Sequence, residues 1–229
     1  MATTSGPARQ NDRSPASEVD GPVGVCGRRG GSTLGILFVG AFVLACGAQT
    51  LSPYPSVDLA PDREALLLTS ADQSSPSRFT VQHLPIESTI APGLYFHPQR
   101  FDVVRVSPNR QYAAFSTAGH HTLVGLLNLT TVVAQELDVL TEGDVLAFHW
   151  SVDSRILAYD YLPASGYRRV KAYDVHSGQR LVVPQIETRS TVHITFEKWG
   201  SQPHEVILSV TDTRSNTRQT KTIELIPHK

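Results

Sequence analysis

Phe148-His149-Trp150-Ser151-Val152-Asp153-Ser154-Arg155-Ile156-Leu157-Ala158-Tyr159 reads as a strand, a tight polar turn and a second strand. Forty-four residues upstream, serine to serine, the chain runs Val104-Arg105-Val106-Ser107-Pro108-Asn109-Arg110-Gln111-Tyr112-Ala113-Ala114-Phe115, the same plan again. Worn copies stand at Pro61-Asp62-Arg63-Glu64-Ala65-Leu66-Leu67-Leu68 and at Phe196-Glu197-Lys198-Trp199-Gly200 through Glu205-Val206-Ile207-Leu208. Ser107, Asn109, Ser151 and Asp153 are turn formers, because their short polar side chains bond their own backbone two residues on.

The clearest unit has four strand-like stretches. After the quoted hairpin, Pro163-Ala164-Ser165-Gly166 opens a loop, and Val170–Val175 alternates polar and apolar as a half-buried strand does. His176-Ser177-Gly178 turns the chain, and Leu181-Val182-Val183 closes the unit. In the preceding unit Val124–Leu129 and Val132-Val133-Ala134 occupy the same places. Leu127-Asn128-Leu129 aligns with Tyr173-Asp174-Val175 and with Ile223-Glu224-Leu225, and Phe79–Leu84 is the matching strand of the first unit. Short strands recurring at a period in the mid-forties predict an all-β, propeller-like array of about four four-stranded antiparallel blades. Their approximate bounds are 59–100, 101–144, 145–190 and 191–229. Trp150 and Trp199 end their strands and are expected between blades. The last strand, Thr220–Ile226, alternates with Lys221 and Glu224 on its polar side, which suits a guarded edge and predicts an open array.

The two middle units, with Ser107-Pro108-Asn109-Arg110 and Ser151-Val152-Asp153-Ser154 followed by Ala114-Phe115 and Ala158-Tyr159, resemble the S-P-D-G-[RK]-x-[IL]-A-[FY] motif of TolB-like and WD40-like β-propellers. Both copies lack the motif's glycine, and the second has Val152 for its proline. The His and Trp-Asp marks of WD40 repeats are absent, so the resemblance is to the TolB-like side.

The chain ahead of the repeats differs in kind. Residues 1–31 are rich in Ser, Pro, Gly, Ala and Arg with no apolar period, a composition that cannot offset its ordering entropy. Arg28-Arg29 then precede the apolar run Leu34–Ala45, too short to span about 30 Å of hydrocarbon. Residues 1–45 therefore read as a disordered flank plus a signal segment. Val43-Leu44-Ala45-Cys46-Gly47 resembles the lipobox of bacterial lipoproteins, and the resemblance implies cleavage before Cys46 and acylation, palmitate included, of Cys46. An uncleaved signal anchor is the alternative. Residues 46–58, polar with two prolines, read as a tether, and 59–229 as the folded head.

Composition narrows the function. Residues 46–229 carry sixteen basic and eighteen acidic residues, which leaves no basic stripe for nucleic acid. Nine histidines are scattered over all four units without metal-ligand spacing, and His120-His121 fall in a loop. No G-x-S-x-G elbow and no phosphate-binding glycine loop occur. Catalytic, metal and cofactor residues are accordingly expected to be none. The expected function is a lipid-anchored, extracytoplasmic binding or scaffold module at the cell envelope, taking a protein, peptide or polysaccharide partner. A propeller-borne hydrolase or lyase, and a non-catalytic remnant of a longer propeller, are the alternatives.

Overall fold

The computed structural model describes residues 52–70, 72, 75–184 and 189–228, all within one unit that spans Ala48–Lys229. One local device occurs four times. The N–H groups of Ala60, Ser107, Ser151 and Gly200 each donate to the carbonyl five residues on, at 2.8–2.9 Å. One residue before that acceptor, the carbonyls of Glu64, Gln111, Arg155 and His204 accept from Val81, Leu129, Val175 and Leu225 at 2.8–3.1 Å. The alignment of Leu129, Val175 and Leu225 drawn from sequence thus corresponds to one shared hydrogen bond.

Around these turns stand four antiparallel sheets. The first holds β1 (Ser56–Leu59), β2 (Ala65–Thr69) and β3 (Ser77–Thr80). The second holds β4 (Arg100–Val106), β5 (Tyr112–Ala118), β6 (Thr122–Asn128) and β7 (Val133–Leu140). The third holds β8 (Asp144–Trp150), β9 (Ile156–Leu162), β10 (Arg169–Asp174) and β11 (Gln179–Val182). The fourth holds β12 (Val192–Trp199), β13 (Glu205–Asp212) and β14 (Thr217–Glu224). A last strand, β15 (Ile226–Pro227), leaves the fourth sheet and pairs with β11 of the third, which makes five strands there.

The alternation of each strand builds three cores between four sheets. Phe115 and Leu123 face the first sheet, in a cluster with Leu66, Phe79 and Phe101. Their neighbours Ala114 and Val124 face the third sheet, packing with Phe148, Trp150, Leu157 and Tyr159. Ile156 and Ala158 in turn face the fourth, with Ile194, Val206 and Leu208. Gly125 stands opposite Phe115 in the β5–β6 register, and a Cβ there would collide with the Phe115 ring. Adjacent sheets touch in chain order, β1 on β4, β4 on β8, and β9 and β10 on β12, whereas the first and fourth share no strand pairing among the described residues. The array is open.

Equal four-stranded blades do not form. Of the strand expected at Phe79–Leu84 only Phe79 and Thr80 extend, at the end of β3; Val81–His83 coils into a 3₁₀ turn because the Thr80 N–H donates to His83 Nδ1 at 3.0 Å. Where a fourth strand would lie, the following loop is clasped by Glu136 of β7, which accepts from Ser88 Oγ, Thr89 N–H and Thr89 Oγ1 at 2.5–2.8 Å. β1 begins at Ser56 and Ser52 Oγ donates to Leu129 O at 3.1 Å, so residues 52–58 of the expected tether lie against the head. In the fourth sheet β14 is the outer edge, with Ile223 its only buried residue.

Candidate functional site

The inner strands β4, β8 and β12 end together beside the repeated turns. Ser107 Oγ donates to Asn109 Oδ1 at 2.7 Å and accepts the Tyr112 N–H at 3.1 Å. Ser151 Oγ does the same with Asp153 Oδ1 at 2.6 Å and the Ile156 N–H at 2.8 Å. The Ser151 hydroxyl, outweighing partial burial, and the Arg155 N–H hold the Asp153 carboxyl below the usual carboxylate range. Both serines are consumed by turn structure.

Each inner strand carries one β-bulge, at Asp102, Leu146 and Glu197. The first two lie five residues ahead of Ser107 and Ser151, but the third lies three ahead of Gly200, and bulges re-aim the side chains that follow them. Trp150 and Trp199 therefore differ although both precede the turn. The Trp150 indole N–H donates to Arg105 O at 3.0 Å, whereas the Trp199 N–H is buried without an acceptor among the described residues.

Between these strands lies an open groove of about 470 Å³ lined by Arg105, His149, Trp150, Phe196, Lys198 and Trp199, among others. His149 stacks on Phe196 with centroids 4.1 Å apart and planes 13° apart, and Phe196 meets Trp199 edge-on at 5.2 Å. Asp160 ties the floor across the third and fourth sheets: its Oδ2 bonds His149 Nε2 at 2.9 Å, and its Oδ1 accepts the Phe196 N–H at 2.9 Å. The arrangement offers aromatic faces, an imidazole held in one orientation, and cations at the rim.

A second polar cluster is enclosed. Asp138 on β7 receives the Tyr159 hydroxyl in a short hydrogen bond and the Lys171 ammonium at 2.6 Å, between the second and third sheets. Burial and the Asp138 charge raise the Tyr159 and Tyr173 phenols well above their ordinary range. With Tyr159 fully buried, this cluster braces the two sheets.

The expected lipidation residue Cys46 lies outside the described residues. His120 and His121 occupy the β5–β6 turn, with ring centroids 4.3 Å apart, and His121 Nδ1 contacts Thr141 O at 2.9 Å. No group of three His, Cys, Asp or Glu among the described residues is placed to hold a metal. The His149–Asp160 pair escaped sequence reading. Its signal was the hairpin itself: β8 and β9 pair His149 with Ala158, which leaves Asp160 diagonal to His149 on the same face.

Four successive antiparallel sheets, each entered by an inner strand and the same polar turn, define a propeller-like scaffold. The chain matches no protein-family model and no curated protein. It is similar to the solved structure of TolB from Acinetobacter baumannii, at 13% identity and TM-score 0.34, over 77% of this chain and 44% of that one. A putative TolB from Agrobacterium tumefaciens matches at 16% identity and TM-score 0.38, over 76% and 61%. A prolyl endopeptidase matches at 13% identity and TM-score 0.44, over 77% and 30%. The chain thus spans between 30% and 61% of the length of these structures.

Proposed function

We propose that the protein is a non-catalytic binding module, tethered by an acylated Cys46 to the extracytoplasmic face of a cell envelope, that takes a protein, peptide or polysaccharide into the groove of Arg105, His149, Phe196 and Trp199. The observation that carries this reading is the Trp199 indole N–H, a buried donor without an acceptor at an aromatic groove. A donor in that state costs about 1–3 kcal/mol, which a ligand oxygen would recover once a turn of the ring presented the N–H to the groove. Propellers display such surfaces at one end of their strands. No helix among the described residues is long and apolar enough to cross a membrane.

Two experiments test it. Cells fed labelled palmitate should label the wild-type protein and not Cys46→Ala, and unlabelled wild type defeats the anchor. In capture from envelope extract, Phe196→Ala and Trp199→Phe should each lose the partner that wild type retains. Equal capture by all three proteins defeats the groove.

A further inference from the structure

The third sheet is split along part of its length. β10 and β11 pair at only three positions, from Asp174–Gln179 to Ala172–Leu181. Beyond Ala172 the strands part: β10 continues along β9 through Lys171 and Val170, while Val182 of β11 turns to Ile226 of β15. At Val170 and Lys171 the outer edge of β10 has no strand paired to it among the described residues. The gap is a cleft of about 300 Å³, at the lower end of small-ligand sites. β15 secures its outer wall, because the His228 N–H donates to Arg180 O at 3.0 Å and Gln179 Nε2 donates to His228 O at 3.0 Å.

Among the described residues the charged side chains lining this cleft are all basic. Arg169, Lys171 and Arg180 contribute to it with Tyr161 and His228, and no carboxylate does among the described residues. Lys171 is fixed by Asp138 behind it and lies over the Tyr161 ring, 5.2 Å from the centroid. Arg169 is held by main-chain oxygens, at 2.9 Å from Arg168 and 3.1 Å from Arg189. Arg180 has no ion pair among the described residues and is exposed. Both guanidinium groups are near enough to Tyr161 to oppose the upward push of burial on its phenol. The far wall is apolar: Val170, Leu181, Val183 and Ile194.

We propose that the split between β10 and β11 is a binding site for a small, soluble organic phosphate. Its phosphate oxygens meet the Arg180 fork and the Lys171 ammonium, and its carbon body lies on Val170, Leu181 and Ile194. Arginine and lysine lining one cleft are the residues that hold phosphate, the arginine through two parallel donors. Arg169 closes the site as an immobilised positive charge, and the open edge at Val170 and Lys171 adds main-chain groups.

The site is independent of the aromatic groove, so either can fail alone. The test is thermal denaturation and calorimetric titration of the full chain with glycerol 3-phosphate, with glycerol and with sodium chloride at matched ionic strength. Glycerol 3-phosphate should raise Tm saturably, and glycerol and chloride should not. Arg180→Gln, at an exposed position, should melt as wild type without ligand and bind glycerol 3-phosphate at least about tenfold more weakly, the loss of one charged hydrogen bond. Arg214→Gln, on the remote β13–β14 turn, should respond as wild type. No saturable response of wild type overturns the proposal, as does an undiminished response of Arg180→Gln. Association confined to vesicles of phosphatidylcholine with phosphatidic acid, without response to glycerol 3-phosphate, overturns it too.

Discussion

The main-chain N–H of Asn109 donates to Ser154 Oγ at 2.9 Å, so the turn of the second blade is tied to the left-handed residue of the third. Ser154 has φ +62° and Arg110 φ +57°, and both stand where the motif has glycine. A side chain in that region costs about 1–2 kcal/mol. At Ser154 the cost is offset by a bond between blades that glycine could not make. Arg63, with φ +59°, reaches likewise from the first blade to Asp102 at 2.9 Å. Ser154→Ala should lower stability by about 1–2 kcal/mol, since it leaves the Asn109 N–H without its acceptor. Urea denaturation measures this, and an unchanged midpoint would remove the role given to the hydroxyl.

Trp150 is 8% exposed, and its indole packs with Phe148, Leu157 and Tyr159 while bonding Arg105 O. Trp150→Ala should cost about 3–5 kcal/mol, as buried aromatic truncations do. Trp150→Phe should lose less, because the ring stays and the hydrogen bond goes. A loss under about 1 kcal/mol for the alanine variant would contradict the packing between blades.

Lys171 and Asp138 form an ion pair with side chains 14% and 12% exposed. Removing one partner strands the other charge. Asp138→Ala should therefore destabilise by about 3–5 kcal/mol, and adding Lys171→Met should restore part of that. Chemical denaturation of the two variants decides it, and a double variant no more stable than Asp138→Ala refutes the coupling.

Acid should weaken the third blade through Asp174. Burial raises this carboxyl, but the Ser177 amide, the Arg155 guanidinium and the His176 amide outweigh it and leave it below the ordinary aspartate value of 3.8. Because the folded state releases the proton more readily than the unfolded chain, this stabilisation is full above that value. It is lost as pH falls through the lower folded pKa. Stability measured by urea midpoints should fall below pH 3.8 in wild type. In Asp174→Asn it should start lower and fall less steeply, and parallel curves would exclude this carboxyl as a source of the acid limb.

Removing residues 226–229 should act on the third blade although the cut is made after the fourth. Hydrogen exchange should quicken along β11, where Leu181 and Val182 lose Pro227 and Ile226. Amides of β5 and β6 should stay protected. Quickening confined to β13 and β14 would show that the crossover is not formed.

Turn chemistry made the repeats legible. Ser107, Asn109, Ser151 and Asp153 signal their turns by local bonding alone, and the strands on either side follow from alternation. What stayed hidden depends on partners distant in sequence or on a single inserted residue. Thr80 to His83 reads as strand because the imidazole that coils it also suits an alternating pattern. The bulge at Glu197 changes which way Trp199 points without changing the composition of β12. Ile226-Pro227 is too short to announce a strand, and nothing near it names β11 as its neighbour. The candidate groove was half visible: the tryptophans stood out, whereas Asp160 became meaningful only once the β8–β9 register was known.

The crossover of β15 also bears on the order in which the molecule is made. A repeat array emerging from a ribosome can complete its units one after another, each resting on the last. Here the third sheet, in the interior of the array, remains a strand short until Ile226 and Pro227 have emerged. The second sheet has all its strands once Leu140 is available. Maturation therefore runs out of step with synthesis: the second blade can settle early, while the third waits for the whole of the fourth. A stalled or truncated chain would expose the outer edge of β11, the place where another strand could add in β15's stead.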